Sequence, residues 1–364
     1  MKEKMGKGKG GKAKEAQRSR AKQGSVKLNG AKHDEREQTG KKRLTSHHYV
    51  THPSRSPSSS TTPNTLHPTP SLLTPSLLHR WPLPQPDEGG DKEERGRVLV
   101  VGGAPEMPGA VILAATAALR AGAGKLQIAT CRSIAQLVAA SVPEARVYAL
   151  PEKKSGAISA SAAAKIAELS NGVQAVLIGP GMIDEDAVTR LMLSLLPRIE
   201  KPTLILDAAA LACLSQAPEC LHALNGKAVL TPHAGEMASI LEVDKDAVTN
   251  DPLLTARSAS IKFRAVLALK GAETYITAPQ GKSYCNRTGN VGLATSGSGD
   301  TLSGIIAGLS ARGALPVQAA AWGVYLHGRA GDVLAKRIGR LGFLARELLA
   351  EVPALMSELK GRKK

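Results

Sequence analysis

Residues Gly289 to Gly313, GNVGLATSGSGDTLSGIIAGLSARG, run a Gly- and Ser-rich loop straight into an apolar helix, a combination suited to holding a phosphate. Gly297 and Gly299, on either side of Ser298, let the backbone close on an anion, while the helix start supplies free N–H groups and the positive end of its dipole. Asp300 stands at that mouth, a built-in carboxylate. An Asp before a helix is also a common N-cap, but a cap leaves the surrounding glycines and serines unexplained.

Four further segments place polar groups just after an apolar run. In LTPHAGEMASIL a strand ends at Leu230 or Thr231 and a helix begins near Gly235, so His233 and Glu236 form a pair able to contact a ligand or to organise water and Mg²⁺ around phosphates. A single His in a loop is more often an ordinary hydrogen-bonding surface residue. In ALKGAETYI, Lys270 and Gly271 join one strand to the next, around Thr274 to Thr277; the ammonium and the backbone suit a nucleotide's phosphate or ribose, and equally a plain β-turn with an exposed lysine. LIGPGM ends a strand in a turn whose amides near Gly179 and Gly181 can face a substrate, and LILDAAAL puts Asp207 where a carboxylate can reach Mg²⁺ through water. VLVVGGAPEMPG resembles a Rossmann opening but lacks G-x-G-x-x-G, which disfavours a nicotinamide-dependent dehydrogenase.

The elements that must position these groups follow from the hydropathy pattern. RVLVVGG, AVLIGPG, TLILDAA, AVLTPH and VLALKG each read as a short buried strand ending in a turn, with helices expected over 109–123 and 157–169. Apolar strands alternating with helices predict an α/β fold with a mostly parallel central sheet covered on both faces, in which ligands bind at the carboxyl ends of the strands.

Composition narrows the classes. The chain has 364 residues, 42% hydrophobic, enough for a substantial core, while only 2% aromatic content argues against a stacking platform for nucleic acid. Cys131, Cys213, Cys220 and Cys285 form no C-x-x-C pair, so neither a disulfide framework nor a zinc site is indicated and a reducing cytoplasm is expected. No apolar run is long enough for a membrane span or a signal peptide. Of the net charge of +17, 19 Lys and Arg against 10 Asp and Glu up to Gly96 account for 9, leaving 8 for the rest. Residues 1–68, a Lys/Gly block followed by a Ser/Thr/Pro/His block, lack apolar periodicity and are expected to be a disordered tail, with 69–364 as the folded domain. The basic block suits loose RNA or membrane-surface attachment, but a charge run without aromatics or a helical face carries little specificity.

In their order, RVLVVGG, MPGA, ALRAGAG, GPGM, LTPHAGE, LKGAET, the GSGD loop and HGRAGD resemble the ADP/ATP-dependent (S)-NAD(P)H-hydrate dehydratases, on the ribokinase-like three-layer sandwich. The resemblance implies that a nucleotide's terminal phosphate passes to the C6 hydroxyl of hydrated NADH or NADPH, and that loss of phosphate then restores the dihydronicotinamide. It implies Asp300 as the base; hydrate contacts at Ala110, Gly181, His233 and Asp300; and a nucleotide against Lys270, Gly271, Ala272, Glu273, Thr274 and the Gly297, Ser298, Gly299 turn. Mg²⁺, with Glu236 reaching it through water, would neutralise the phosphates of ADP or ATP. A homo-oligomer is expected, the small-residue stretch 110–121 being one candidate for subunit packing.

Three positions depart from the family pattern. Ala209 stands where a second acid is common after Asp207, Ala234 where Pro is usual, and Leu293 where Met is usual. Many microbial members carry an epimerase domain ahead of the dehydratase, for which residues 1–68 are too short and too polar. The nearest alternative is an ATP-dependent kinase of a small vitamin precursor, of the hydroxyethylthiazole or hydroxymethylpyrimidine type, on the same scaffold; the LTPHAGE, LKGAET and MPGA segments favour the dehydratase. A non-catalytic nucleotide-binding protein tethered to RNA is a third reading, against which Asp300 argues. ADP and ATP share the groups these loops would touch, so the donor stays open between them.

Overall fold

The computed structural model of the chain describes residues 69–359 apart from 88 and 90; the expected tail lies outside the described residues. Ten strands form one sheet: β1 (Ser71–Leu72), β2 (Arg97–Val101), β3 (Lys125–Cys131), β4 (Ala145–Leu150), β5 (Ala175–Ile178), β6 (Thr203–Leu206), β7 (Ala228–Leu230), β8 (Val266–Leu269), β9 (Thr274–Thr277) and β10 (Ser283–Asn286). Their spatial order is β1-β10-β9-β8-β7-β6-β5-β2-β3-β4, with β9 antiparallel to both neighbours and every other pairing parallel. The helices are α1 (Pro75–His79), α2 (Pro108–Arg120), α3 (Ala135–Ser141), α4 (Ala163–Ser170), α5 (Glu185–Leu195), α6 (Cys213–Gln216), α7 (Ala234–Leu241), α8 (Lys245–Asn250), α9 (Pro252–Phe263), α10 (Ser298–Ala311), α11 (Pro316–Arg337) and α12 (Ala345–Glu358).

The five apolar runs are β2, β5, β6, β7 and β8, the strands buried on both faces. Helices α2, α10, α11 and α12 pack together on one face, while α4, α5, α7 and α9 cover the other. The chain winds outward from β2 through β3 to β4, then returns to β5 on the other side of β2 and continues to β8. The strand order therefore reverses between β2 and β5, where an open sheet leaves a crevice at its carboxyl edge.

Two expected helices shift at their ends. The first stops at Arg120 because Gly122, at φ +100°, turns the chain back so that Ala123 N–H donates to Ala118 O (3.2 Å). The second begins only at Ala163: Ile158 pairs with Glu152 in an isolated bridge, and a 3₁₀ turn over Ala160–Ala162 intervenes. Strands β3 and β4 escape the hydropathy reading because polar Lys125 and Gln127 interrupt one and the other is a half-exposed sheet edge. The alanines of α2 do not form a free face: Ala114, Ala117, Ala118 and Ala121 are buried against Gly304 and Gly308 of α10, whose missing side chains let the two backbones approach. Among the described residues no helix is long and apolar enough to cross a membrane.

Candidate active site

Strands β7 and β8 are apolar throughout and β6 is apolar after its first residue, Thr203, so the polar side chains that follow each run emerge at its carboxyl end. Asp207, 2% exposed, follows β6 and accepts hydrogen bonds at Oδ1 from Thr231 Oγ1 (2.7 Å) and Lys270 Nζ (3.2 Å). Lys270 follows β8, and its N–H donates to Pro232 O (2.9 Å), extending the β7–β8 ladder by one rung and setting Lys270 beside His233. Its Nζ also lies 3.7 Å from Glu236 Oε2. Burial presses the Lys270 pKa down, but the carboxylates of Asp207 and Glu236, with Asp300 behind them, outweigh it and hold the group as an ammonium. Ala208, the residue after Asp207, sits at φ +49°, a left-handed conformation that costs an alanine about 1 kcal/mol or more.

The anion loop meets this cluster from α10. Gly297, at φ +85°, is the N-cap of α10 and a Cβ there would lie 2.5 Å from Leu113 Cδ1 on α2, so only glycine fits the turn. Ser298, Gly299 and Asp300 are the first three helical residues, so Asp300 is not the cap: its carboxylate projects from within the first turn. A Cβ on Gly299 would stand 3.6 Å from Lys270 Nζ, so the ammonium lies against the helix mouth. Burial and the negative charge of Asp207 push the Asp300 carboxyl up to about 6, with Lys270 opposing. Such a carboxylate is ionised at neutral pH yet basic enough to accept a proton from a hydroxyl.

A second layer fixes the loop, and it comes from HGRAGD on α11. His327 Nε2 lies 3.0 Å from Ser298 Oγ, and burial lowers its pKa to about 4, so the imidazole stays neutral. Gly328 lets Thr288 lie directly on the helix, and Gly331 makes room for Leu293. Asp332 accepts from Gly289 N–H (3.2 Å) and Asn290 Nδ2 (3.3 Å). The sequence signal was the spacing of His327, Gly328, Gly331 and Asp332, which puts all four on one helical face. Leu293 in place of Met is accommodated in this packing, a swap of similar volume.

At the start of α7, His233 and Glu236 form a capping box. His233 N–H donates to Glu236 Oε2 (2.7 Å), and Glu236 N–H donates to His233 Nδ1 (3.0 Å), while Nε2 of the largely exposed imidazole lies 3.8 Å from Glu236 Oε1. Ala234 occupies the first helical position, where an N–H is not needed, so Pro and Ala serve alike. Beside it, Gly271, Ala272 and Glu273 form the β8–β9 turn and border a cavity of about 370 Å³. The Glu273 carboxylate is turned aside, accepting from Tyr275 Oη (2.8 Å) and pairing with Arg287 Nε (2.7 Å), while Thr274 is held in the β9–β10 ladder.

At the strand-order reversal, Gly181 adopts φ +68° and a Cβ on it would lie 2.8 Å from Ala110 Cβ, so the GPGM turn and the start of α2 touch. Gly103 N–H donates to Pro180 O (2.8 Å), tying the ends of β2 and β5 together. The structure thus gathers Asp207, His233, Glu236, Lys270, Gly299 and Asp300 in one cluster and Ala110 with Gly181 in another, on the same edge of the sheet. Among the described residues no three His, Cys, Asp or Glu side chains converge to hold a metal ion directly. Glu236 and Asp207, carboxylates set around one ammonium, fit instead an ion carried by phosphates and water.

A sheet that reverses between β2 and β5, with a glycine-framed helix mouth delivering an acid to its carboxyl edge, defines the ribokinase-like class. The chain resembles a ribokinase-like superfamily protein from Enterococcus faecalis V583, with a TM-score of 0.68 and 26% identity over 80% of this chain and 96% of that one. It is similar to the ADP/ATP-dependent NAD(P)H-hydrate dehydratase of Bacillus subtilis co-crystallized with ATP/Mg²⁺ (TM-score 0.66, 28% identity, 80% of this chain and 99% of that one). In sequence it is 47% identical over 287 residues to the ADP-dependent (S)-NAD(P)H-hydrate dehydratase of Xanthomonas campestris pv. campestris, covering 79% of this chain and 96% of the relative. A bifunctional NAD(P)H-hydrate repair enzyme of Moorella thermoacetica is 43% identical, and there the match spans only 54% of the relative. The family model described as NAD(P)H-hydrate dehydratase matches residues 98–354, and the chain belongs to that family.

Proposed function

We propose that the protein is a hydro-lyase that returns the (S) form of hydrated NADH or NADPH to the dihydronicotinamide, using ADP or ATP as phosphoryl donor. The observation that carries the reading is Asp300: a carboxyl raised to about 6, in the first turn of the anion-loop helix, against Lys270. Asp300 takes the proton of the C6 hydroxyl as that oxygen attacks the terminal phosphorus, and the nucleotide leaves one phosphate shorter. Phosphate then departs with the C6–O electron pair, a proton is lost from the neighbouring carbon, and the ring double bond returns. Hydroxide is a poor leaving group and phosphate a good one, which is why the detour accelerates elimination.

In this reading the amides of Gly297, Ser298 and Gly299 and the Lys270 ammonium stabilise charge on the transferred group. Gly271, Ala272, Glu273 and Thr274 border the nucleotide beside the 370 Å³ cavity. Ala110, Gly181 and His233 contact the hydrate, His233 through the exposed edge of its ring. Mg²⁺, reached through water by Glu236, would neutralise the nucleotide's phosphates. The family and the named relatives support this over phosphorylation of a vitamin precursor. The free thiols suit a reducing cytoplasm, and the enzyme is proposed to act there as a homo-oligomer without nucleic acid or membrane. The folded unit is proposed to be 69–364.

The test is direct. Purified protein is mixed with enzymatically prepared NADH hydrate, Mg²⁺ and either ADP or ATP, and the near-ultraviolet absorbance of the dihydronicotinamide is followed. A nucleotide-dependent rise is expected and names the donor. Absence of a rise with either nucleotide, in folded protein that binds nucleotide, refutes the proposal.

A further inference from the structure

Of the four cysteines, Cys131 and Cys285 are buried beside Ser133 and Glu273, whereas Cys213 and Cys220 lie against each other. They stand at the two ends of a tight reversal of the chain. Cys213 opens α6 and its carbonyl accepts from Ala217 N–H (3.0 Å), while Ala217 O accepts from Cys220 N–H (3.1 Å). The two side chains are in contact, each thiol being the strongest single influence on the other.

The pair is asymmetric. Cys213 is fully buried and its thiol donates to Ala210 O (3.2 Å), whereas Cys220 is partly exposed. Contact with Cys220, together with burial, pushes the Cys213 thiol up, and contact with Cys213 lowers the Cys220 thiol. A partly exposed thiol of lowered pKa is the one that attacks a disulfide, and a buried thiol beside it is reached through it. Core filling alone asks for neither the surface position of Cys220 nor its contact with a second thiol. The same turn reaches the candidate active site. Ala210, whose carbonyl takes the Cys213 S–H, donates its N–H to Asp207 O (3.2 Å), and Asp207 holds Thr231 and Lys270. Between them Ala208 keeps its left-handed φ of +49° only while the surrounding turn holds it.

We propose that Cys213 and Cys220 form a reversible dithiol–disulfide site whose co-substrate is a low-molecular-weight disulfide, RSSR, and that closing it displaces Asp207 and slows the enzyme. Cys220, its proton lost to solvent, attacks one sulfur of RSSR, and RS⁻ leaves with the S–S electron pair. Cys213 then loses its proton and attacks the Cys220 sulfur, expelling the second RS⁻. Each RS⁻ takes up a proton, so two protein thiols and RSSR become one protein disulfide and two RSH; the protein is oxidised by two electrons and RSSR reduced by two. Cys213 no longer donates to Ala210, which loosens the turn at Asp207. The effect on turnover rests on the proposed function; the dithiol does not.

The full chain is equilibrated with oxidised and reduced glutathione at set ratios, denatured and alkylated, and the mass of the tryptic peptide holding both cysteines is measured. At the most oxidising ratio the wild type is expected to give an unalkylated peptide two hydrogens lighter, restored to two thiols by dithiothreitol. Cys220→Ser is expected to keep Cys213 a thiol at every ratio, and Cys213→Ala to stop at the glutathione adduct of Cys220. A wild type that stays doubly alkylated, or that stops at the same adduct, overturns the dithiol. Turnover of NADH hydrate is expected to fall about tenfold or more in the oxidised wild type and to stay constant in Cys220→Ser under the same oxidant. Equal rates for the oxidised and reduced wild type overturn the link to Asp207, while the mass measurement judges the dithiol with no hydrate present.

Discussion

Replacing Asp300 by Asn removes a carboxylate whose ionisation the fold resists, so the variant should lose activity and gain stability together. The folded protein keeps this proton up to about pH 6, whereas the unfolded chain releases it near 3.8. Between those values the native state binds more protons, and the contribution of Asp300 to stability falls as pH rises. A shift of about two units corresponds to at most about 3 kcal/mol, and partial exposure of the side chain reduces this to about 1–3 kcal/mol. The variant should therefore match the wild type below about pH 4 and exceed it by a constant 1–3 kcal/mol above about pH 6, raising Tm by roughly 2 °C per kcal/mol. Neutral His327 titrates in the opposite sense but is present in both proteins, so it cancels in the difference. Turnover of NADH hydrate should fall about 10²- to 10⁴-fold while nucleotide binding persists. Urea unfolding across this pH range and the absorbance assay read the two effects. A stability difference that is absent, or independent of pH, would refute the claim that burial and Asp207 strain this carboxylate; a near wild-type rate would remove it from the mechanism.

Lys270→Met leaves buried Asp207 without its cation and should cost about 3–5 kcal/mol in urea unfolding, while moving the acid limb of the rate–pH profile upward as Asp300 loses its opposing charge. Gly297→Ala forces a side chain into a left-handed turn 2.5 Å from Leu113, and should cost about 1–3 kcal/mol and weaken ADP binding measured by calorimetry. Because His327 has its pKa lowered to about 4, the stability it contributes is present above about pH 6.5 and lost as pH falls through about 4. His327→Gln should flatten that acid limb, as read by thermal unfolding over the same range. Chelating Mg²⁺ should abolish turnover without changing Tm, since no described cluster of side chains holds the ion as part of the fold.

The buried strands β2, β5, β6, β7 and β8 were legible because the part of a strand covered on both faces must be apolar, which here is all of each strand but the first residue of β2 (Arg97) and of β6 (Thr203), and each is followed by a residue that breaks the run. β3 and β4 were not, since interrupted or half-exposed strands carry no such signature. Asp207 shows the same limit within the site. Its place after an apolar run marked a carboxylate at a strand end, and Mg²⁺ was the expected partner; the structure gives it Thr231 and Lys270, residues 24 and 63 positions away. His233 was marked for a ligand, and half of its ring is taken by its own helix cap.

By itself, then, the sequence determined the apolar strands, the glycine-framed loop and the chemical types offered at each strand end, because those depend on neighbours within a few residues. Only the tertiary structure decided which of those groups meet. It closed the distance between β6 and β8 to pair Asp207 with Lys270, brought α11 beneath the anion loop so that His327 could support Ser298, and buried Asp300 enough to raise its pKa. Those are matters of sheet order and burial, and no local spacing encodes them.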